Sequence, residues 1–288
     1  MRTTTDHYAA QHRAQEFLRE WARTLGDTLP AVDGIAAVAD RHRMRVSVRR
    51  LRVGLEILAE LYPAGELRQM QRQLQRVGRE LGTVRALDVN AELLGGATRQ
   101  QAPARQRALA ALNRERVTLI PKLAELHRRW RAGRLADRLE RMIGRPQRQL
   151  DSARLLAGVR AEVKRLRQTM RRRYAQYEKK QSGRTFHRLR IAVKRYRYAL
   201  LIAGAMFPLP NRKREKALAE VQDLMGASHD LEVLLDWLRG RTETLGPGAK
   251  KLVDIFERKH EQSLAACRQH LAEETGWRKK VKLECEHD

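Results

Sequence analysis

The chain has 288 residues, of which 60 are lysine or arginine against 34 acids, giving a formal charge of +26 and a pI near 11.1. That balance points to a polyanionic partner, whether nucleic acid, an anionic membrane surface or polyphosphate, and the 42% hydrophobic share suffices for the core of one large or two small domains. Cys267 and Cys285 show neither metal nor disulfide spacing, the first residues lack the apolar run of a secretory signal, and no stretch approaches about 20 apolar residues; the expectation is a soluble cytoplasmic protein without membrane insertion.

Apolar residues recur at three- and four-residue spacing almost throughout, and alternating β-branched runs are few, so the predicted elements are helices. The first covers 7–27, with Phe17, Leu18, Trp21 and Leu25 on one face. A break near Pro30 to Gly34 precedes a helix over 35–61, which Pro63 ends. The next starts near Glu66, runs through Leu74, Val77 and Leu81, kinks at Gly82 and closes at Gly95-Gly96. A helix over 102–131 follows, then a short one over 134–143 ending at Gly144. The second half repeats the plan: a helix over 151–180, a turn at Ser182-Gly183, a helix to about 206, and Phe207-Pro208-Leu209-Pro210. A helix over 211–239, a loop at Gly246-Pro247-Gly248 and a last helix over 249–275 complete it. Four long helices per half predict an all-α fold of two four-helix bundles, 6–144 and 145–275, with a polar tail over 276–288.

Two stretches stand out. Residues 42–57 read HRMRVSVRRLRVGLEI, and 145 residues later 187–202 read HRLRIAVKRYRYALLI, identical at eight of sixteen positions with five further close exchanges. At about 100° per residue, His42, Arg45, Arg49 and Arg52 fall inside an arc of about 80°, as do His187, Arg190, Lys194 and Arg197. Met44, Val48, Leu51 and Leu55, like Leu189, Val193, Tyr196 and Leu200, occupy the neighbouring arc. A solvated charged face normally lies opposite the core, as Arg43 and Arg50 do. A cationic stripe bordering the core instead lines a groove, and two such helices facing each other make a channel for a polyanion.

These paired segments, followed by LGTVRALDV at 81–89 and MGASHDLEV at 225–233, resemble the CHAD domain, the "conserved histidine α-helical domain", over residues 6 to 275. The resemblance implies two four-helix bundles around a basic central channel, related by the internal repeat, and binding of inorganic polyphosphate by a non-catalytic binding or targeting module associated with polyphosphate granules. The chain departs from the family where Ala86 follows Arg85, since an Arg-Asp pair is usual there; His229-Asp230 keeps the pair in the second half.

Polyphosphate carries regularly spaced charge and no bases, so recognition rests on spaced cations. Arginine supplies a bidentate fork and lysine a point charge. The candidate set is His42, Arg45, Arg49, Arg52, His187, Arg190, Lys194 and Arg197, with Arg50 and its counterpart Arg195. Arg85 and His229 hold corresponding positions, and Tyr198 offers a phosphate hydrogen bond. Protonated His42 and His187 donate from both ring nitrogens, so mildly acid pH strengthens binding. The Arg171-Arg172-Arg173 run and Arg128-Arg129 read as solvated surface that adds long-range field.

Two rival readings remain. His187, His229, Asp230 and Asp254 resemble the metal set of all-helical phosphohydrolases, although Arg85 and Ala86 replace the pair in the first half. A nucleic-acid binder fits the net charge, but aromatics are 5% of the chain and single-strand platforms rely on stacking; weak, salt-sensitive nucleic-acid binding is expected of any chain this basic. Glu284-x-Glu286 lacks the lysine and the barrel strands of a triphosphate-tunnel site. No nucleophile–base constellation and no glycine-rich phosphate loop is present, so no catalytic residue, metal or cofactor is expected.

Overall fold

The three-and-four spacing of apolar residues produces helices alone: no strand occurs among the described residues of the computed structural model, 8–29, 38–96, 102–207 and 212–273. The helices are α1 (Ala9–Thr28), α2 (Val38–Ile57), α3 (Ala64–Gly95), α4 (Ala102–Ala132), α5 (Leu135–Gly144), α6 (Ser152–Lys179), α7 (Gly183–Met206), α8 (Arg212–Arg239), the single-turn α9 (Thr242–Leu245) and α10 (Ala249–Glu273). The break at Pro30–Gly34, the turn at Pro208–Pro210, and the tail with Glu284 and Glu286 lie outside the described residues. None of the described helices is long and apolar enough to cross a membrane.

Local chemistry explains the ends. Asp151 caps α6 by accepting from the Arg154 backbone N–H at 2.7 Å, and Ser182 and Thr185 form a reciprocal capping box at the start of α7. Arg13 donates from Nε and Nη2 to the carbonyl of Met206, at 3.0 and 2.9 Å, satisfying the end of α7. Gly246 turns the chain between α9 and α10 with φ of 69°, a conformation that disfavours any side chain. Helix α9 has no counterpart in the sequence-based expectation, and α4 continues through Pro121.

The helices pack in chain order, α1 on α2, α2 on α3, α6 on α7, α7 on α8 and α8 on α10; across the halves α2 packs on α7, α3 on α8 and α1 on α7. The two stripe-bearing helices, α2 and α7, and the helices that follow them therefore form the centre of the molecule. Gly54 lets α1 approach α2, because a Cβ there would collide with Leu18. Two buried glutamines of α1 hold the end of α5 and the α5–α6 linker: Gln15 donates to the Ile143 carbonyl at 2.7 Å, and Gln11 accepts from the Leu150 N–H at 2.7 Å.

Two hydrophobic cores result, and each draws on both halves of the chain. The larger joins α1, α2, α5, α6 and α7 with α3 as far as Val84 and α8 as far as Met225. The smaller joins Leu87 and Leu94 of α3 with the start of α4, Leu231–Leu238 of α8 and the start of α10. On α3 and α8 the two cores part at the segments carrying Arg85-Ala86 and His229-Asp230.

Candidate anion-binding site

At that parting lies a cavity of about 460 Å³. Helix α2 contributes His42, Arg45 and Arg49, and α7 contributes Arg190 and Lys194; Arg85 and Ala86 come from α3, and Asp223, His229 and Asp230 from α8. Part of the stripe on α2 and part of that on α7 thus line one space. Helix α3 runs unbroken through Gly82, whose use is room: a Cβ there would sit 3.2 Å from Nη1 of Arg45. His187 stands beside the cavity, its ring centroid 5.4 Å from that of His229, and His229 Nδ1 lies 3.1 Å from Glu232 Oε2.

The electrostatics are those of a crowded, half-buried cation cluster. Burial, then Arg49, Arg190 and Arg45, push the Lys194 ammonium down to about 7, with Asp230 opposing. Burial, then Arg49 and Arg85, push Arg45 down to about 10. Arg190 is lowered mainly by burial, with Asp230 countering and Arg49 adding to the effect. The imidazoles of His42, His187 and His229 are each held below their ordinary value, first by burial and then by neighbouring arginines. Nη1 of Arg45 and Nε of Arg190 are buried and have no hydrogen-bond partner among the described residues. Leaving a buried charged donor unsatisfied costs about 1–3 kcal/mol or more, and an anion beside these guanidinium groups offsets that cost by its charge.

A second cavity of about 800 Å³ continues from the first, with Arg49 and Lys194 lining both. Arg52, Arg195 and Tyr198 line it, together with Arg68 and Arg72 of α3 and the apolar Leu67 and Ile191. Arg195 is ion-paired to Glu56, which also faces Arg165. The sequence reading took α3 only for its core positions and missed Arg68 and Arg72; their four-residue spacing is the same signal that marked the stripes on α2 and α7.

Arg50 and Arg197 are placed elsewhere. The Arg50 guanidinium lies 3.8 Å from the centroid of the Trp21 ring, with Arg197 its electrostatic neighbour, and neither lines either cavity. Arg197 shares the helical angle of Arg190 but stands about 10 Å further along the axis. Asp254 lines a separate cavity with Arg239 and Arg241, so it does not join His229 and Asp230, and no group of three ligating side chains suited to a metal occurs among the described residues.

Also missed was a buried cluster beneath the site. Asp88 accepts from Nε and Nη2 of the fully buried Arg41, both at 3.2 Å, and lies 3.1 Å from Nη2 of Arg116. It joins α2, α3 and α4 about one helical turn along α3 from Arg85. The sequence signal was faint, because the position corresponding to Arg41 in the second half is Phe186.

Comparison with known proteins identifies the fold. A family model described as the CHAD domain matches residues 12–239. The crystal structure of the CHAD domain from the plant Ricinus communis superposes with a TM-score of 0.71 at 22% identity, covering 97% of this chain and 96% of that one. PptA from Streptomyces chartreusis superposes with a TM-score of 0.61 at 14% identity, covering 93% and 99% respectively. At these identities the likeness concerns the fold. No curated protein matches the sequence.

Proposed function

The chain belongs to the CHAD domain family, and from that premise we propose that it binds linear inorganic polyphosphate along the cationic cavity between α2 and α7, as a non-catalytic binding or granule-targeting module. The observation that carries the reading is the pair Arg45 and Arg190, which line one cavity from two helices and each hold a guanidinium nitrogen out of water without a hydrogen-bond partner. A generic basic surface leaves its donors in water. Here the donors are withdrawn from water and self-repelling, which favours a ligand of dense regular charge over one whose phosphates are spaced by sugars and bases. The continuation past Lys194 toward Arg52 and Arg72 suits an extended chain.

The test is competition between long-chain polyphosphate and a charge-matched DNA oligomer, at low and near-physiological salt. Polyphosphate retained while DNA is released supports the reading. Equal salt slopes for both refute it and leave a generic polyanion surface. Arg45→Ala and Arg190→Ala each weaken polyphosphate binding about tenfold or more, since a charge-assisted hydrogen bond contributes about 1.5–3 kcal/mol. Arg43→Ala and Arg188→Ala, at exposed positions, change it little.

A further inference from the structure

Lys194 lies where the two cavities meet and lines both. Arg45, Arg49 and Arg190 share the first cavity with it, and so do the carboxylates of Asp223 and Asp230, of which Asp230 partly offsets the cations; among the described residues no carboxylate comes within ion-pair distance of its amine. An amine desolvated beside other cations loses its proton near neutrality and becomes a nucleophile. The same guanidinium groups are suited to hold a phosphate next to it. The juxtaposition is of an unpaired amine with a phosphate cradle, inside a cavity of about 460 Å³ that admits a small anion.

We propose that Lys194 is a covalent modification site whose Nζ takes an acyl group from a small acyl phosphate held by the arginines of the cavity. The proposal rests on the anion-binding reading of the cavity, but not on polyphosphate as the ligand. In the reaction the amine lone pair forms a bond to the acyl carbon, and the bond from that carbon to the phosphate oxygen breaks. Inorganic phosphate leaves with the bonding pair, and the proton shed by the amine passes to the phosphate or to water. Nothing is oxidised or reduced. The product is a neutral amide in place of a cation, so acylation lowers the charge of the cavity at the junction of its two parts. A bound polyanion opposes the reaction, both by covering the amine and by favouring its protonated form. The level of acyl phosphate thereby becomes an input to polyanion binding.

The experiment treats the full chain with acetyl phosphate near pH 7 and follows acetylation by peptide mass spectrometry at Lys194 and at the exposed Lys164 and Lys216. Lys194 is expected to react roughly tenfold faster or more, its larger neutral fraction outweighing its lower basicity. Pyrophosphate suppresses labelling at Lys194 and leaves the other two unchanged. An uncharged acetyl ester, which the arginines do not hold, shows a smaller preference for Lys194. A rate at Lys194 no higher than at Lys164 overturns the proposal. So does an equal preference with the uncharged ester and no protection by pyrophosphate, which would mean that the arginines do not guide the reagent. A loss of polyphosphate binding in the competition experiment leaves these rates unmoved, so the two readings fail separately.

Discussion

Replacing Lys194 by methionine should make the protein more stable and a poorer binder, and the gain should depend on pH in a set direction. The ordinary lysine value of 10.5 describes the unfolded chain, and burial with Arg49, Arg190 and Arg45 brings the folded value to about 7. Between those values the unfolded state binds the proton and the folded state does not, so stability rises with pH across that window. Below about 7 the amine is charged in both states, and the folded protein bears the full cost of holding it. At about 1.36 kcal/mol per pKa unit this cost is on the order of 5 kcal/mol, reduced where the cavity admits water. Methionine keeps an unbranched side chain one atom shorter and removes the charge. Lys194→Met should therefore raise Tm by roughly 5–10 °C near pH 6, for a protein of this size, and by several-fold less near pH 9.5, where the wild-type amine is neutral when folded. Thermal unfolding followed by circular dichroism at fixed ionic strength measures both. An equal shift at the two pH values, or a loss of stability near pH 6, would refute the claim that this amine is electrostatically burdened. The same variant should bind polyphosphate more weakly, separating stability from function at one atom.

Three further outcomes follow from the same geometry. His42, His187 and His229 are held below their ordinary value in the free protein, and a polyanion favours their protonation and that of Lys194; polyphosphate binding should take up protons and tighten as pH falls from about 8 to 6. Calorimetric titration in buffers of different ionisation enthalpy reads the uptake directly, and a heat independent of buffer would contradict it. Asp88→Ala removes the carboxylate shared by Arg41 and Arg116 and should cost about 3–5 kcal/mol in denaturant unfolding, whereas a loss under about 1 kcal/mol would mean that the cluster is dispensable. Arg50→Ala should cost about 0.5–2 kcal/mol of stability through the lost contact with Trp21 while leaving polyphosphate affinity within about twofold, the opposite of what a channel-lining arginine would do.

The helices, their approximate bounds and the two cationic stripes follow from the sequence alone, because the angle between Arg45 and Arg49 on one helix is a property of 3.6 residues per turn and needs no partner. The bordering of each stripe on a core face is equally local, and it identified Arg45, Arg49, Arg190 and Lys194 as one side of a groove. What lies across from a stripe is set by long-range packing. Arg197 has the angle of Arg190, yet its axial position sets it beside Arg50 instead of in the cavity, and Arg50 found Trp21 because α1 crosses α2 at Gly54. Phe186 at the position equivalent to Arg41 hid the buried ion cluster from a repeat comparison, since one half solves that packing with a ring and the other with a carboxylate shared between two arginines. The order of residues places Lys194 on the stripe but does not reveal how weakly it holds its proton. Its low proton affinity arises from burial and from arginines of both α2 and α7, a sum of interactions that exists only once those helices have met.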